Sequence, residues 1–138
     1  MKTIADIMTR QVESISQNEN VQKAAQMMRD ADVGMLPVTD GNQLLGVITD
    51  RDICMRVVAE GREPNITYVQ QVMTKDVVTC PPETEIRQAI EMMTSKQIRR
   101  LMIVDQNRQL VGVVAQADVA RDESLDKETE RLVEGVSQ

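Results

Sequence analysis

The chain has 138 residues, 41% of them hydrophobic and 28% charged, and a formal net charge of −6, which suits one folded domain or two very small ones sharing a core. It contains no His, Trp or Phe and a single Tyr. These absences exclude Ser-His-Asp and Cys-His catalysis, His-ligated zinc or haem, and an aromatic platform for nucleic-acid bases, while the acidic balance opposes non-specific nucleic-acid binding.

Residues 1–6 (Met-Lys-Thr-Ile-Ala-Asp) hold no apolar leader core, and no run approaches a membrane span. A short segment near Val12–Ile15 is expected in or beside a sheet. Glu19 to Ala31 carries Val21, Ala24, Ala25 and Met28 at i, i+3, i+4 and i+7, one face of a helix. Met35 to Thr39 reads as a buried strand, Asp40-Gly41-Asn42 as a turn, and Leu44 to Thr49 as the second strand of a hairpin. Asp50 to Ala59 returns to helical spacing, and Gly61 stands where a glycine ends a helix. Arg62 to Thr67 links this copy to a second one.

In that second copy, Val77–Cys80 precedes Pro81-Pro82-Glu83, which is expected to open a helix running to about Lys96 with Ile86, Ala89, Ile90 and Met93 inward. Leu101 to Val104 and Leu110 to Val114 form a hairpin, and Asp118-Val119-Ala120 belongs to the next helix. Cys54 and Cys80 make no CxxC pattern and read as reduced core thiols of a cytoplasmic protein.

Self-similarity runs through the chain. An offset of 65 pairs Met8-Thr9 with Met73-Thr74, Ala24 with Ala89, Met27-Met28 with Met92-Met93, and Leu36 with Leu101. One extra residue later, Gly46-Val47 pairs with Gly112-Val113 and Asp52 with Asp118. This pattern marks two copies of one β-α-β-β-α unit. Each copy, about 55 residues, is too short to bury a sufficient core alone, so the copies are expected to pack face to face about a pseudo-twofold axis. The fold class is α/β (α+β), with repeats at 1–63 and 64–121 and an acidic, helical tail over 122–138. That tail carries Leu125, Leu132, Val133 and Val136.

The sharpest local signal is Gly46 to Asp52, a strand end that opens a helix. Thr49 and Asp52 stand three apart at the helix mouth, where free N–H groups favour an anion. A carboxylate can accept from two vicinal hydroxyls, as on a ribose, and a threonine can serve sugar or phosphate. The same spacing is also that of a helix-capping box with Asp in place of Glu or Gln, and the two roles are compatible. Arg99 and Arg100 open a predicted strand. They suit bidentate phosphate recognition, and also a solvated edge with surface ion pairs. The Met pairs read as core rather than as a soft-metal site, and Asp40-Gly41-Asn42 lacks the rest of a calcium loop.

The ordered, twice-occurring motifs give a resemblance. Asp6-Ile7-Met8-Thr9, Val33 to Val38 and Gly46 to Asp52 occur in the first copy. Val72-Met73-Thr74, Ile98 to Asp105 and Gly112 to Asp118 occur in the second. Over residues 3 to 121 the chain resembles a stand-alone cystathionine-β-synthase (CBS) domain pair, or Bateman module, similar to small bacterial CBS proteins of the hypoxic-response type. The resemblance implies a non-catalytic regulatory module that binds AMP, ADP or ATP between its copies and forms a homodimer. No catalytic residues, metal, obligatory cofactor, nucleic acid or membrane are implied. Carried over, Thr49 and Asp52 face the ribose, Arg99 and Arg100 the phosphates, and Val12, Ser14, Ile15 and Pro37 the base. The second site departs from the pattern: Ala115 replaces the Thr, and Gly34-Met35 stands where the arginines stand. Only Asp118 and Arg51 remain there, so a weaker site is expected. The alternative is a ligand-free dimeric scaffold that recruits a protein partner. S-adenosylmethionine and NADH are further ligand choices.

Overall fold

The computed structural model describes residues 2–122; of the tail helix expected over 122–138, all but Asp122 lies outside them. Strand β1 (Ile15–Ser16) precedes helix α1 (Val21–Ala31), the hairpin β2 (Met35–Asp40) and β3 (Gln43–Thr49), and helix α2 (Asp50–Ile53). A short helix α3 (Val69–Val72) follows. The order then repeats as β4 (Thr79–Cys80), α4 (Ile86–Lys96), β5 (Arg100–Val104) and β6 (Leu110–Ala115), with residues 116–122 helical. The sheets are β1-β2-β3 and β4-β5-β6. The expected β-α-β-β-α unit is therefore present twice.

The parallel register sets Ile15 against Val38, and the antiparallel one sets Met35 against Thr49 and Pro37 against Val47. Gly41, at φ 63°, supplies the left-handed residue of the β2–β3 turn. Asn20 caps α1 by accepting the Lys23 N–H at 2.8 Å. The apolar stripe of α1 buries Val21, Ala24 and Met28 against Leu36, Val38 and Ile48 of the sheet. Each Val, Leu, Ile or Met side chain so withdrawn from water contributes about 1.5–3 kcal/mol.

Two local expectations need correction. Pro81-Pro82-Glu83 does not open α4. Thr84 N–H returns to the Pro81 carbonyl at 3.1 Å, and the helix starts at Ile86; the fixed φ of proline serves a tight turn as well as a first helical turn. The helix after Thr49 is α-helical only to Ile53 and widens into a π-helix over Cys54–Val58, where Ala59 N–H reaches Cys54 O at 2.9 Å. The extra residue per turn buries Val57 and leaves Val58 67% exposed. Gly61, at φ 70°, does end it: Gly61 N–H meets Val58 O at 3.1 Å and Arg62 N–H meets Val57 O at 2.9 Å.

The chain forms two compact units that are not contiguous in sequence. Among the described residues, one comprises Val12–Val78 with Val104–Leu110; the other comprises residues 2–11, Thr79–Ile103 and residues 111–122. The opening segment of each copy thus belongs with the sheet of the opposite copy. Thr74 exchanges backbone bonds of 2.8 and 2.9 Å with Val47, and Thr9 does the same with Val113 at 2.9 and 3.0 Å. In the first unit Val21 N–H bonds Thr67 O and Val69 N–H bonds Glu19 O, so the link returns to the start of α1. In the second unit Ile4 N–H bonds Thr84 O in the equivalent place.

Candidate functional site

Thr49 is the last residue of β3 and the cap of α2. Its hydroxyl oxygen accepts the Asp52 N–H at 3.0 Å, and its own N–H donates to Asp52 Oδ2 at 3.0 Å. The capping box expected from the spacing is formed in full. A hydroxyl that accepts one bond keeps its own proton to donate.

Asp52 is 7% exposed, so its carboxylate needs compensation inside the protein. That comes from the Thr49 N–H and from Thr74, a residue that spacing alone did not single out. Thr74 Oγ1 donates to Asp52 Oδ1 at 3.0 Å and lies 3.2 Å from Oδ2. The Arg56 guanidinium stands 4.0 Å from Oδ1 while donating to the carbonyls of Val72 and Met73 at 3.0 and 3.1 Å. The recurrence of Met-Thr at 8–9 and 73–74 marked this segment, but spacing alone does not name its partner.

The proposed base residues lie in the same unit as Thr49 and Asp52. Met35 pairs with Thr49, so the start of β2 and the end of β3 share one end of the sheet. Pro37 is buried two residues further along β2. Ser14, half-buried, accepts the Thr39 hydroxyl at 3.2 Å. Ile15 is 3% exposed and Val12 is half-buried.

Arg99 and Arg100 belong to the other unit. Arg100 is half-buried at the start of β5, and Arg99 is exposed just before it. The Arg99 carbonyl accepts the Gln116 N–H at 2.9 Å, as the Gly34 carbonyl accepts the Asp50 N–H at 2.8 Å. The arginine pair thus occupies the structural position of Gly34-Met35, as the repeat alignment requires. Arg51 is exposed on α2. Asp118 forms half of a capping box: its Oδ2 accepts the Ala115 N–H at 2.9 Å, and Ala115 has no hydroxyl to return a bond. Arg121 stands 3.8 Å from Asp118.

Of the two cysteines, Cys80 is a core thiol, and burial pushes its pKa up against a smaller opposing hydrogen bond from Thr84. Cys54 is exposed on the π-helical turn, contrary to expectation. Cys80 and Thr79, the repeat counterparts of Ile15 and Ser14, line a cavity of about 620 Å³ together with Thr84 and Gln88. Among the described residues, no three His, Cys, Asp or Glu converge as a metal site, and no helix is long and apolar enough to cross a membrane.

The family model described as CBS domain matches residues 4–59 and 69–124. The CBS domain-containing protein YhcV of Bacillus subtilis is 43% identical over 87% of this chain and 84% of its own length. Hypoxic response protein 1 of Mycobacterium tuberculosis is 34% identical over 88% of this chain and 85% of its own. Among solved structures, Hypoxic Response Protein I with two coordinated zinc ions superposes with a TM-score of 0.79 at 34% identity, covering 88% of this chain and 99% of that one. The CBS domain pair of protein MJ0100, in complex with 5′-methylthioadenosine and S-adenosylmethionine, shares the fold with a TM-score of 0.76 at 24% identity, covering 87% and 98%.

Proposed function

The chain belongs to the CBS domain family, with two such domains in tandem, and on that premise we propose that it is a non-catalytic sensor of adenine nucleotides. In this reading Thr49 and Asp52 take the ribose hydroxyls, Arg99 and Arg100 take the phosphate, and Val12, Ser14, Ile15 and Pro37 border the base. Asp118 and Arg51 serve a weaker second site. The protein acts in the cytoplasm as a homodimer, and ligand binding shifts its state by the difference in affinity between the two conformations.

The observation that carries the reading is the arrangement of Thr49 and Asp52. A hydroxyl with a proton left to donate and a carboxylate are fixed by reciprocal 3.0 Å bonds, which suits them to a vicinal diol. The adenosyl ligands of the MJ0100 domain pair support an adenosine-type ligand.

A rival reading rests on the same bonds. They complete a helix cap, and a ligand-free scaffold needs nothing more from these residues. A thermal-shift panel of AMP, ADP, ATP, S-adenosylmethionine and NADH separates the two. A ligand at a hundredfold excess over its dissociation constant stabilises the fold by about 2.7 kcal/mol. The sensor reading expects that shift with at least one adenine nucleotide and its loss in Thr49→Ala/Asp52→Ala and in Arg99→Ala/Arg100→Ala. No response in the wild type, with only a capping loss in the first variant, establishes the scaffold. Product analysis after incubation with ATP tests the absence of hydrolysis.

A further inference from the structure

The two copies share one backbone arrangement around their Met-Thr segments but differ in a side-chain bond. Thr74 and Val47 exchange two backbone bonds, as do Thr9 and Val113. Only Thr74 carries the arrangement further, donating its hydroxyl to both oxygens of the buried Asp52 carboxylate. Among the described residues, no such bond joins Thr9 to Asp118, and Thr9 is exposed where Thr74 is half-buried. The site with the complete Thr-x-x-Asp pair is thus also the one whose carboxylate is held from a second direction.

We infer that Thr74 is a positioning residue for the Asp52 carboxylate and sets its preference for a vicinal diol. The inference rests on the nucleotide reading above. Thr49 N–H holds Oδ2 from the helix side, and Thr74 holds the carboxylate from the neighbouring strand segment. With both in place the carboxylate cannot rotate freely, and its remaining lone pairs keep one direction. Preset acceptors lose less freedom when a ligand binds, which raises affinity. Because Thr74 is also paired to β3 through its backbone, the hydroxyl is itself held in register. The residue contributes no ligand bond of its own in this role. It acts through Asp52.

The test is calorimetric titration with AMP, ADP and ATP and their 2′-deoxy forms, using wild type, Thr74→Val, Thr74→Ser and Thr74→Ala. Thr74→Val leaves the carboxylate to be ordered by the ligand itself, so the tightest-binding ribonucleotide should bind about two- to tenfold more weakly, the cost of fixing one side chain on binding. Its preference for the ribo over the 2′-deoxy form should fall in parallel, and Thr74→Ser should restore both. In an Asp52→Asn background the effect of Thr74→Val should shrink, as expected of residues acting as a unit. Thr74→Ala serves if the valine variant does not fold. Equal losses for ribo and deoxy ligands, or an unchanged affinity in a folded Thr74→Val, would overturn the role of Thr74 alone. Absence of binding in the wild type would overturn the nucleotide reading as well.

Discussion

Asp32 and Gln97, 65 positions apart, close α1 and α4 in the same left-handed conformation, at φ 54° and 55°. In each case the next N–H returns to the helix, Val33 to Met28 O and Ile98 to Met93 O, both at 3.0 Å. A short acidic side chain tolerates this conformation better than glutamine, whose Cβ meets the carbonyl without local compensation. Gln97→Gly should therefore stabilise the protein by about 0.5–1 kcal/mol, the relief of left-handed strain less the backbone entropy of glycine. Asp32→Gly should gain less. Urea midpoints at constant slope measure both, and a midpoint for Gln97→Gly at or below wild type would contradict the assignment of strain.

Gly46 and Gly112 are repeat partners with different tolerance for a side chain. A Cβ on Gly46 would overlap the Thr74 carbonyl oxygen, a backbone atom held by its bond to Val47. A Cβ on Gly112 would lie 2.6 Å from Met8 Sδ, a flexible side chain, and 3.1 Å from Thr9 O. Overpacking costs about 1–3 kcal/mol when neighbours cannot yield. Gly46→Ala should fall at or above the top of that range and Gly112→Ala near the bottom. The comparison needs only thermal unfolding of both variants, and equal losses would show that Met8 is as fixed as the Thr74 backbone.

The contrast between these glycines also shows what was legible in the sequence. The 65-residue offset placed every long helix and both hairpins, because amphipathic spacing and turn residues report on local structure. It aligned Arg99-Arg100 with Gly34-Met35, and the matching bonds of the Arg99 and Gly34 carbonyls follow that alignment. The pairing of Thr9 with Val113 and of Thr74 with Val47 was not legible, since periodicity carries no information about which distant strand a segment joins. The bond from Thr74 to Asp52 was hidden for the same reason. The π-helical turn at Cys54–Val58 arises where Ala59 N–H reaches back five residues rather than four, a difference that an apolar pattern of three residues cannot resolve. Cys54, read as core, is exposed at the start of that turn.

The two capping sites offer a matched pair of substitutions. Thr49→Ala removes an acceptor for the Asp52 N–H and should cost about 0.5–2 kcal/mol. Ala115→Thr supplies the missing hydroxyl beside Asp118, whose carboxylate already accepts the Ala115 N–H, and should gain about 0.5–1 kcal/mol. Denaturant titration of each variant checks the pair. A destabilising Ala115→Thr would mean that the half-buried site lacks room for the added atoms.

The thiols give a test of burial that also has a pH signature. With a thiol reagent under native conditions, Cys54 should react rapidly and Cys80 only as fast as the protein opens, because Cys54 is exposed and Cys80 is 4% exposed. Burial raises the Cys80 pKa above its ordinary 9.0, so the folded state holds this proton to higher pH than the unfolded chain does. The stability due to the protonated thiol is complete below the unfolded pKa and is lost as pH rises through the folded value. Wild type should therefore lose more stability than Cys80→Val between neutral and strongly alkaline pH. Parallel stability curves for the two proteins would mean that Cys80 ionises as readily in the fold as in the open chain, and rapid modification of both thiols would place Cys80 at the surface.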